Sequence, residues 1–353
     1  DALALSYKSS ISIIIPKFEK PGGGNIFQFG IDFGTTNTHI AVKENEADPV
    51  NFEIKLKDQQ IAFLYQKTSS LSELDAGRQL IEMQDYIQQE TIPEVITKDG
   101  DYESPFRSCT LENKTTNHKS LPTLFGQVNI GFDFEKKPIR NYLDKKTDLK
   151  WASFITGAEA DANKNRVRLY VRELLRLCKN KVLLNQGVLK QTKIFWSYPT
   201  SMEAYRIKDI REIWVEEFGL EFEGVSDSSL IEVPESLAPY YYATNEMGIS
   251  TYERPTVSLD IGGGTSDIAI FDNGQTQLIT SFKFAGNSIF GDGFNGNVKT
   301  NGFVSTFHPE MVEKIGDASS YMQLSNNSTD IISYFFSLNK NKNFDIDFGK
   351  MLA

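Results

Sequence analysis

The stretch that most constrains the fold is residues 256–271, in which an apolar, β-branched run breaks at three glycines and then resumes. The break has the sequence Asp260-Ile-Gly-Gly-Gly-Thr265. This pattern predicts a β-hairpin with a tight glycine turn. Because glycine has no Cβ, the backbone N–H groups of such a turn can approach an anion closely. A carboxylate cannot bind phosphate itself, so Asp260 indicates a divalent cation and water between the two.

A second copy of the pattern lies far upstream, in residues 27–42. There an apolar run ends in Asp32, passes through Gly34–Asn37 (Gly-Thr-Thr-Asn) and resumes. Two Asp-x-Gly-x-Thr hairpins about 230 residues apart predict two related half-domains that face each other across a nucleotide. No helical pattern follows either hairpin directly, which distinguishes both from a Walker loop and from a G-x-G-x-x-G fingerprint.

These two motifs carry a family resemblance. Gly30–Asn37 closely resembles the first phosphate motif of the heat-shock chaperone (DnaK-type) branch of the actin-like ATPase superfamily, and Asp260–Asp267 resembles the second. The resemblance implies an α/β fold, bilobed and actin-like, with two ribonuclease-H-like halves. It covers roughly residues 26–295, and the tail at 296–353 lacks the Gly-Gly-x-Ser/Thr motif for adenosine. ATP or ADP as the ligand is therefore implied by the resemblance alone.

The chain has 353 residues, enough for one large bilobed domain. We expect residues 1–25 to form a lead-in and residues 26–255 to form the first lobe, with an inserted subdomain at about 61–160. Residues 256–353 would then form the second lobe. The match stops in an Asn- and Ser-rich tail, so this second lobe is expected to be incomplete, either through truncation or through shortening of the lobe.

Composition excludes several classes of protein. The net charge is −10 and the pI about 5.0, which argues against binding to nucleic acid or to an anionic membrane. No apolar run approaches the roughly 20 residues of a membrane span. The two cysteines form no disulfide framework, so a reducing compartment, the cytoplasm, is the expected location. Three scattered histidines make a zinc site improbable.

Further segments extend the resemblance. Residues 130–137 stand where the family has its catalytic lysine, so either Lys136 or Lys137 is a candidate to reach a γ-phosphate; a solvated basic turn is the alternative. Glu235 matches the family's glutamate at a helix start between the lobes, where it holds the water shell of the metal or the attacking water. A negative charge at a helix N-terminus is the alternative for Glu235. Gly286 belongs to a family segment that shapes a loop close to the nucleotide.

The resemblance and the residues together predict a phosphoryl-transfer site. The candidate phosphate-binding residues are Gly34, Thr35, Thr36 and Asn37 from the first hairpin, and Gly262, Gly263, Gly264 and Thr265 from the second. Asp32 and Asp260 are the candidate Mg²⁺ ligands, mostly through water, because magnesium dehydrates reluctantly. Asp260 and Glu235 would orient the attacking water, and Lys136 or Lys137 would neutralise developing charge.

Four functions fit this site. The first is a chaperone-like ATPase with slow hydrolysis coupled to lobe closure and to a protein partner that the sequence does not identify. The second is an actin-like, filament-forming ATPase of the cell-shape or segregation type. The third is a sugar or acetate kinase, against which the missing acceptor-site signature argues. The fourth is a non-catalytic, nucleotide-dependent scaffold, against which Asp32, Glu235 and Asp260 argue.

Overall fold

The computed structural model describes residues 3–7, 10–14, 23–55, 58, 64–66, 96–97, 104–114, 116, 118, 128–132, 143–157, 159–250, 252 and 254–286. Its strands are β1 Leu3–Tyr7, β2 Ser10–Ile14, β3 Phe27–Phe33, β4 Asn37–Glu44, β5 Val50–Asn51, β6 Leu64–Gln66, β7 Phe106–Arg107, β8 Thr110–Asn113, β9 Val128–Ile130, β10 Leu143–Lys146, β11 Lys193–Tyr198, β12 Leu230–Pro234, β13 Thr256–Ile261, β14 Ser266–Asp272 and β15 Gln275–Phe282. Its α-helices are α1 Ala160–Leu184, α2 Ala204–Glu221 and α3 Ala238–Asn245. Short 3-10 turns occur at Leu149–Trp151, Leu189–Gln191, Asp227–Ser229 and Glu235–Leu237.

The first large sheet has the strand order β12-β11-β3-β4-β5, and the short strand β7 also pairs with β4. Strand β3 pairs with β4 as an antiparallel hairpin and with β11 in parallel, and β12 continues the parallel side. The long helix α1 precedes β11, as a crossover to a parallel strand requires. Strand β3 therefore has a hairpin partner on one edge and parallel strands on the other.

Alternation along β3 explains which face of this sheet is buried. Phe27, Phe29, Ile31 and Phe33 are all at most 2% exposed, whereas the residues between them are partly or fully exposed. This period of two places the apolar side chains against α1 and α2 and leaves Asp32 on the opposite face. In the same core Trp196 of β11 stacks on Trp214 of α2, with ring centroids 5.2 Å apart.

The second hairpin lies in a smaller antiparallel sheet with the order β13-β14-β15. Here Asp260 of β13 is directly opposite Asp267 of β14. Strand β13 of this sheet differs from β3 in burial, because its apolar residues Val257, Leu259 and Ile261 are all more than half exposed.

The predicted fold class, α/β, is confirmed, and both predicted hairpins are present. The segment predicted as a lead-in contributes β1 and β2, which form a small sheet with β6. Most of the predicted inserted subdomain and residues 287–353 of the second lobe lie outside the described residues, so the domain boundaries remain a prediction. No helix in the described part of the chain combines the length and apolar character needed to cross a bilayer.

Candidate functional site

The turn between β13 and β14 is closed by its own backbone. Gly262 N–H donates to the carbonyl of Thr265 (2.9 Å), and Gly286 N–H donates to the carbonyl of Gly262 (3.0 Å). A Cβ on Gly286 would lie 3.2 Å from that Gly262 oxygen, so the segment after β15 packs closely on the turn. Thr265 is buried behind the turn. Gly286, predicted to shape a loop near the nucleotide, is thus attached to the second hairpin.

The turn between β3 and β4 is held by a neighbouring strand. Ser108 lies between β7 and β8; its hydroxyl group donates to the carbonyl of Gly34 (2.7 Å) and its N–H to that of Thr36 (2.9 Å). Arg107 donates to the side chain of Asn37 (3.0 Å). Behind this contact Tyr170 of α1 donates its hydroxyl to Thr38 (2.7 Å). The first turn is therefore fixed from two sides.

The two turns meet. A Cβ built on Gly264 would lie 2.7 Å from Thr35 Oγ1 and 2.9 Å from Thr35 Cγ2, so only a glycine fits at this point. A second contact joins the same two sheets, because Ser281 of β15 donates to Ser201, which follows β11 (2.9 Å). The structure thus brings the turns of the two predicted hairpins into contact at Thr35 and Gly264.

The three predicted carboxylates line a common cavity, whose lining includes none of the predicted phosphate-binding residues. Asp32, Glu235 and Asp260 line one cavity of about 220 Å³. Ser197 donates to Asp32 (3.2 Å), and His39, directly opposite Asp32 in the β3–β4 register, also lines the cavity. His39 and Ser197 are not among the predicted site residues, because they reach the cavity only through the pairing of β4 and β11 with β3.

A lysine that the sequence does not predict, Lys150, contacts the candidate site. Lys150, in the 3-10 turn Leu149–Trp151, forms an ion pair with Glu235, and the two side chains are 4% and 11% exposed. The carbonyl of Lys150 accepts a hydrogen bond from the buried Arg206 (3.0 Å), which fixes the turn. The predicted candidates Lys136 and Lys137 lie outside the described residues. Lys136 and Lys137 therefore remain predictions, and Lys150 is a further lysine with a buried ammonium group.

Burial and like charge alter the carboxylates. Burial raises the pKa of Glu235 to about 7; the Lys150 ammonium opposes this shift, and the negative charges of Asp32 and Asp267 add to it. The pKa of Asp260 is raised by partial desolvation and by the same two aspartates. A cation placed beside Asp32, Asp260 and Asp267 would therefore be stabilised by their negative charges.

Two polar atoms test whether a polyphosphate and a cation fit this arrangement. Thr36 Oγ1 and Asp267 Oδ1 are buried and lack a hydrogen-bond partner among the described residues. Buried polar atoms are normally satisfied, so each is available to a bound group or a water. Among the same described residues, no three His, Cys, Asp or Glu side chains are placed to hold one metal ion together. A Mg²⁺ ion would accordingly depend on water and phosphate oxygens for most of its ligands, which is how magnesium usually binds.

No protein-family model matches the chain, and a search of curated proteins found no match. Among solved structures the chain is similar to MreB5 of Spiroplasma citri bound to ADP, at 17% identity over 83% of this chain and 63% of that one, with a TM-score of 0.39. A non-polymerising MamK mutant bound to AMPPNP is 16% identical over 78% of this chain and 60% of that one, with a TM-score of 0.37. EutJ from Carboxydothermus hydrogenoformans is 12% identical over 94% and 75%, with a TM-score of 0.32.

This chain spans less than two thirds of the length of the MreB5 and MamK chains. Similarities of this size carry no argument about what the chain binds or does. None of these three structures is a heat-shock chaperone, so the chaperone branch remains a prediction from the two hairpin motifs.

Proposed function

We propose that the chain binds ATP with Mg²⁺ between the two hairpins and hydrolyses it slowly. The observation that carries this proposal is the contact of the two glycine turns, where a Cβ on Gly264 would lie 2.7 Å from Thr35 Oγ1. Asp32 and Asp260, which precede the two turns, line one cavity, so each hairpin brings its own carboxylate to the same place. Two phosphate-binding turns with carboxylates beside them suit a nucleoside triphosphate and its Mg²⁺ ion.

In this proposal the turns bind the β- and γ-phosphates. Backbone N–H groups of Gly34–Asn37 and of Gly262–Thr265 would donate to phosphate oxygens, as would the hydroxyl groups of Thr35 and of Thr36, whose buried Oγ1 has no partner among the described residues. Bound Mg²⁺ would neutralise phosphate charge, held through water by Asp32 and Asp260.

The cavity supports hydrolysis as well as binding. Glu235 has a pKa near 7, which suits a group that accepts a proton from water at neutral pH. Lys150 takes the role that the sequence predicts for Lys136 or Lys137, because its ammonium group is already buried beside Glu235. Such a site acts by positioning and by charge stabilisation, so we expect slow turnover that depends on lobe closure.

Calorimetric titration with Mg·ATP tests the proposal on the parent chain and on Asp260→Asn. We expect binding by the parent, and in the variant a rate of hydrolysis lower by roughly a hundredfold, as for loss of one charged group at a transition state. Asp272→Asn, at the far end of the same hairpin, is the matched control and should behave as the parent. No binding by the parent would contradict the proposal, and unchanged hydrolysis in Asp260→Asn would remove Asp260 from the site.

A filament-forming ATPase is the second candidate function, favoured by the exposed edge of the smaller sheet. Among the described residues β13 pairs with β14 alone, and Val257, Leu259 and Ile261 are more than half exposed along it. An unpaired apolar strand of this kind is a ready template for pairing with another chain. For a chaperone-like ATPase, by contrast, no surface formed by the described residues indicates the protein partner.

Sedimentation separates these two candidates. A filament-forming ATPase would move into the pellet on addition of Mg·ATP, and Leu259→Glu would keep it in the supernatant, because a charge on the strand edge opposes pairing. Leu220→Glu is the matched control, since Leu220 is 63% exposed on α2, far along the chain from this edge. A parent chain that stays in the supernatant with Mg·ATP bound would favour the chaperone-like function.

A further inference from the structure

Trp151 contacts parts of both sheets beside the candidate site. Its indole N–H donates to Thr35 Oγ1 in the first hairpin, at 2.9 Å. The face of the same indole carries the ammonium group of Lys283, which follows β15 of the second sheet, at 4.2 Å from the ring centroid. Trp151 is also the residue after Lys150, so one 3-10 turn directs one side chain to Glu235 and the next to Thr35.

The direction of the bond to Thr35 follows from chemistry. An indole N–H can only donate, whereas a hydroxyl group has one donor and two acceptor positions. Thr35 must therefore accept from Trp151, and its own proton remains free to be donated elsewhere. Because a Cβ on Gly264 would lie 2.7 Å from Thr35 Oγ1, this oxygen faces the glycine turn of the second hairpin. The hydroxyl proton is thus not used by Trp151, at the point where the two turns meet.

We propose that Trp151 is a positioning residue for phosphate binding, which fixes the Thr35 hydroxyl as a hydrogen-bond donor toward the triphosphate. This inference rests on the proposed binding of Mg·ATP and adds to it a residue that no motif marks. A threonine hydroxyl without this partner rotates and divides its time between donating and accepting. With the indole bound to one acceptor position, the hydroxyl group keeps its proton for donation, which in this proposal goes to a phosphate oxygen.

A double-mutant cycle tests the inference, with calorimetric titration of Mg·AMPPNP as the readout. Trp151→Phe should weaken binding by about fivefold, the value of one net hydrogen bond. Thr35→Val should weaken binding at least as much, and the double variant should bind within about twofold of Thr35→Val alone. Thr35→Ser keeps the hydroxyl group, so in the Thr35→Ser background Trp151→Phe should again weaken binding by about fivefold. Losses that simply add in the double variant would show a general structural role and overturn the inference.

Fluorescence gives a readout that does not depend on turnover. Trp196 and Trp214 are buried and stacked on each other, so the difference in emission between the parent and Trp151→Phe reports Trp151. We expect Thr35→Val to change this emission without any nucleotide, since the indole N–H loses its partner. Emission from Thr35→Val equal to that of the parent overturns the inference, and this comparison does not require Trp151→Phe to fold. No binding of Mg·AMPPNP by the parent overturns both this inference and the proposed function, whereas equal binding by the parent and a folded Trp151→Phe overturns this inference alone.

Discussion

Gly264→Val is expected to reduce ATP hydrolysis by roughly a hundredfold, because a shift of about 1 Å between reacting groups can have that effect. The new side chain would begin at a Cβ placed 2.7 Å from Thr35 Oγ1, 2.9 Å from Cγ2 and 3.1 Å from Cβ. Rotation of Thr35 about χ1 exchanges one close atom for another, so it cannot relieve the contact. The two turns must move apart, and the phosphate-binding groups on them separate with it.

Two further variants show that the contact itself is responsible. Gly264→Ala adds the Cβ without branches, so its effect should have the same direction and be smaller. Gly219→Ala is the control: Gly219 is exposed within α2 with no atom within 4 Å of its Cβ position. Alanine there should leave hydrolysis unchanged and stabilise the fold by about 1 kcal/mol, through helix propensity. Hydrolysis by Gly264→Val at the rate of the parent would show that the two hairpins do not form one site.

The parts of the fold that the sequence predicts are those encoded by local patterns. Alternating apolar residues predict β3, and the glycine breaks predict the turns of both hairpins, because backbone geometry and side-chain period are local properties. That the hairpins meet is predicted by their duplication, and Gly264 and Thr35 do meet. The α/β class is implied by the family resemblance that these two motifs carry.

The contacts that complete the site are not local, which is why the sequence does not predict them. Lys150 is 85 residues from Glu235 and follows two other lysines, Lys145 and Lys146, so no spacing distinguishes it. Ser108 reaches the first turn across 74 residues, with no motif around it. Trp151 resembles an ordinary core residue in sequence. Each of these depends on strand order and on chain crossings that only tertiary structure fixes.

Lys150→Met is expected to destabilise the fold by about 1 kcal/mol at pH 8, because one pKa unit corresponds to about 1.4 kcal/mol and pH 8 lies about one unit above the pKa of Glu235 in the parent. The reason is that Glu235 is 11% exposed, so without the Lys150 ammonium group its carboxylate can be charged only at a greater cost. Burial already raises the pKa of Glu235 to about 7, and the Lys150 ammonium opposes that shift. Its removal therefore raises the pKa of Glu235 further.

The sign of the pH dependence follows from linkage. A carboxyl group whose pKa is higher in the folded than in the unfolded state binds more protons when folded, so stability falls as pH rises between the two values. The unfolding free energy of Lys150→Met should thus approach that of the parent near pH 5, where Glu235 is protonated, and fall below it as pH rises to 8. Denaturant unfolding at these two pH values measures the difference. An equal loss at both would show that the lysine stem, and not its charge, stabilises this part of the fold.

A second substitution separates stability from catalysis in the same pair. In Lys150→Met with Glu235→Gln no buried charge is left unpaired, so the double variant should recover most of the stability lost at pH 8. It should not recover hydrolysis of Mg·ATP, because neither the ammonium group nor the carboxylate proposed to act on phosphate and water is present. Recovery of hydrolysis together with stability would mean that the Lys150–Glu235 pair only joins two turns of the chain and takes no part in the chemistry of the cavity.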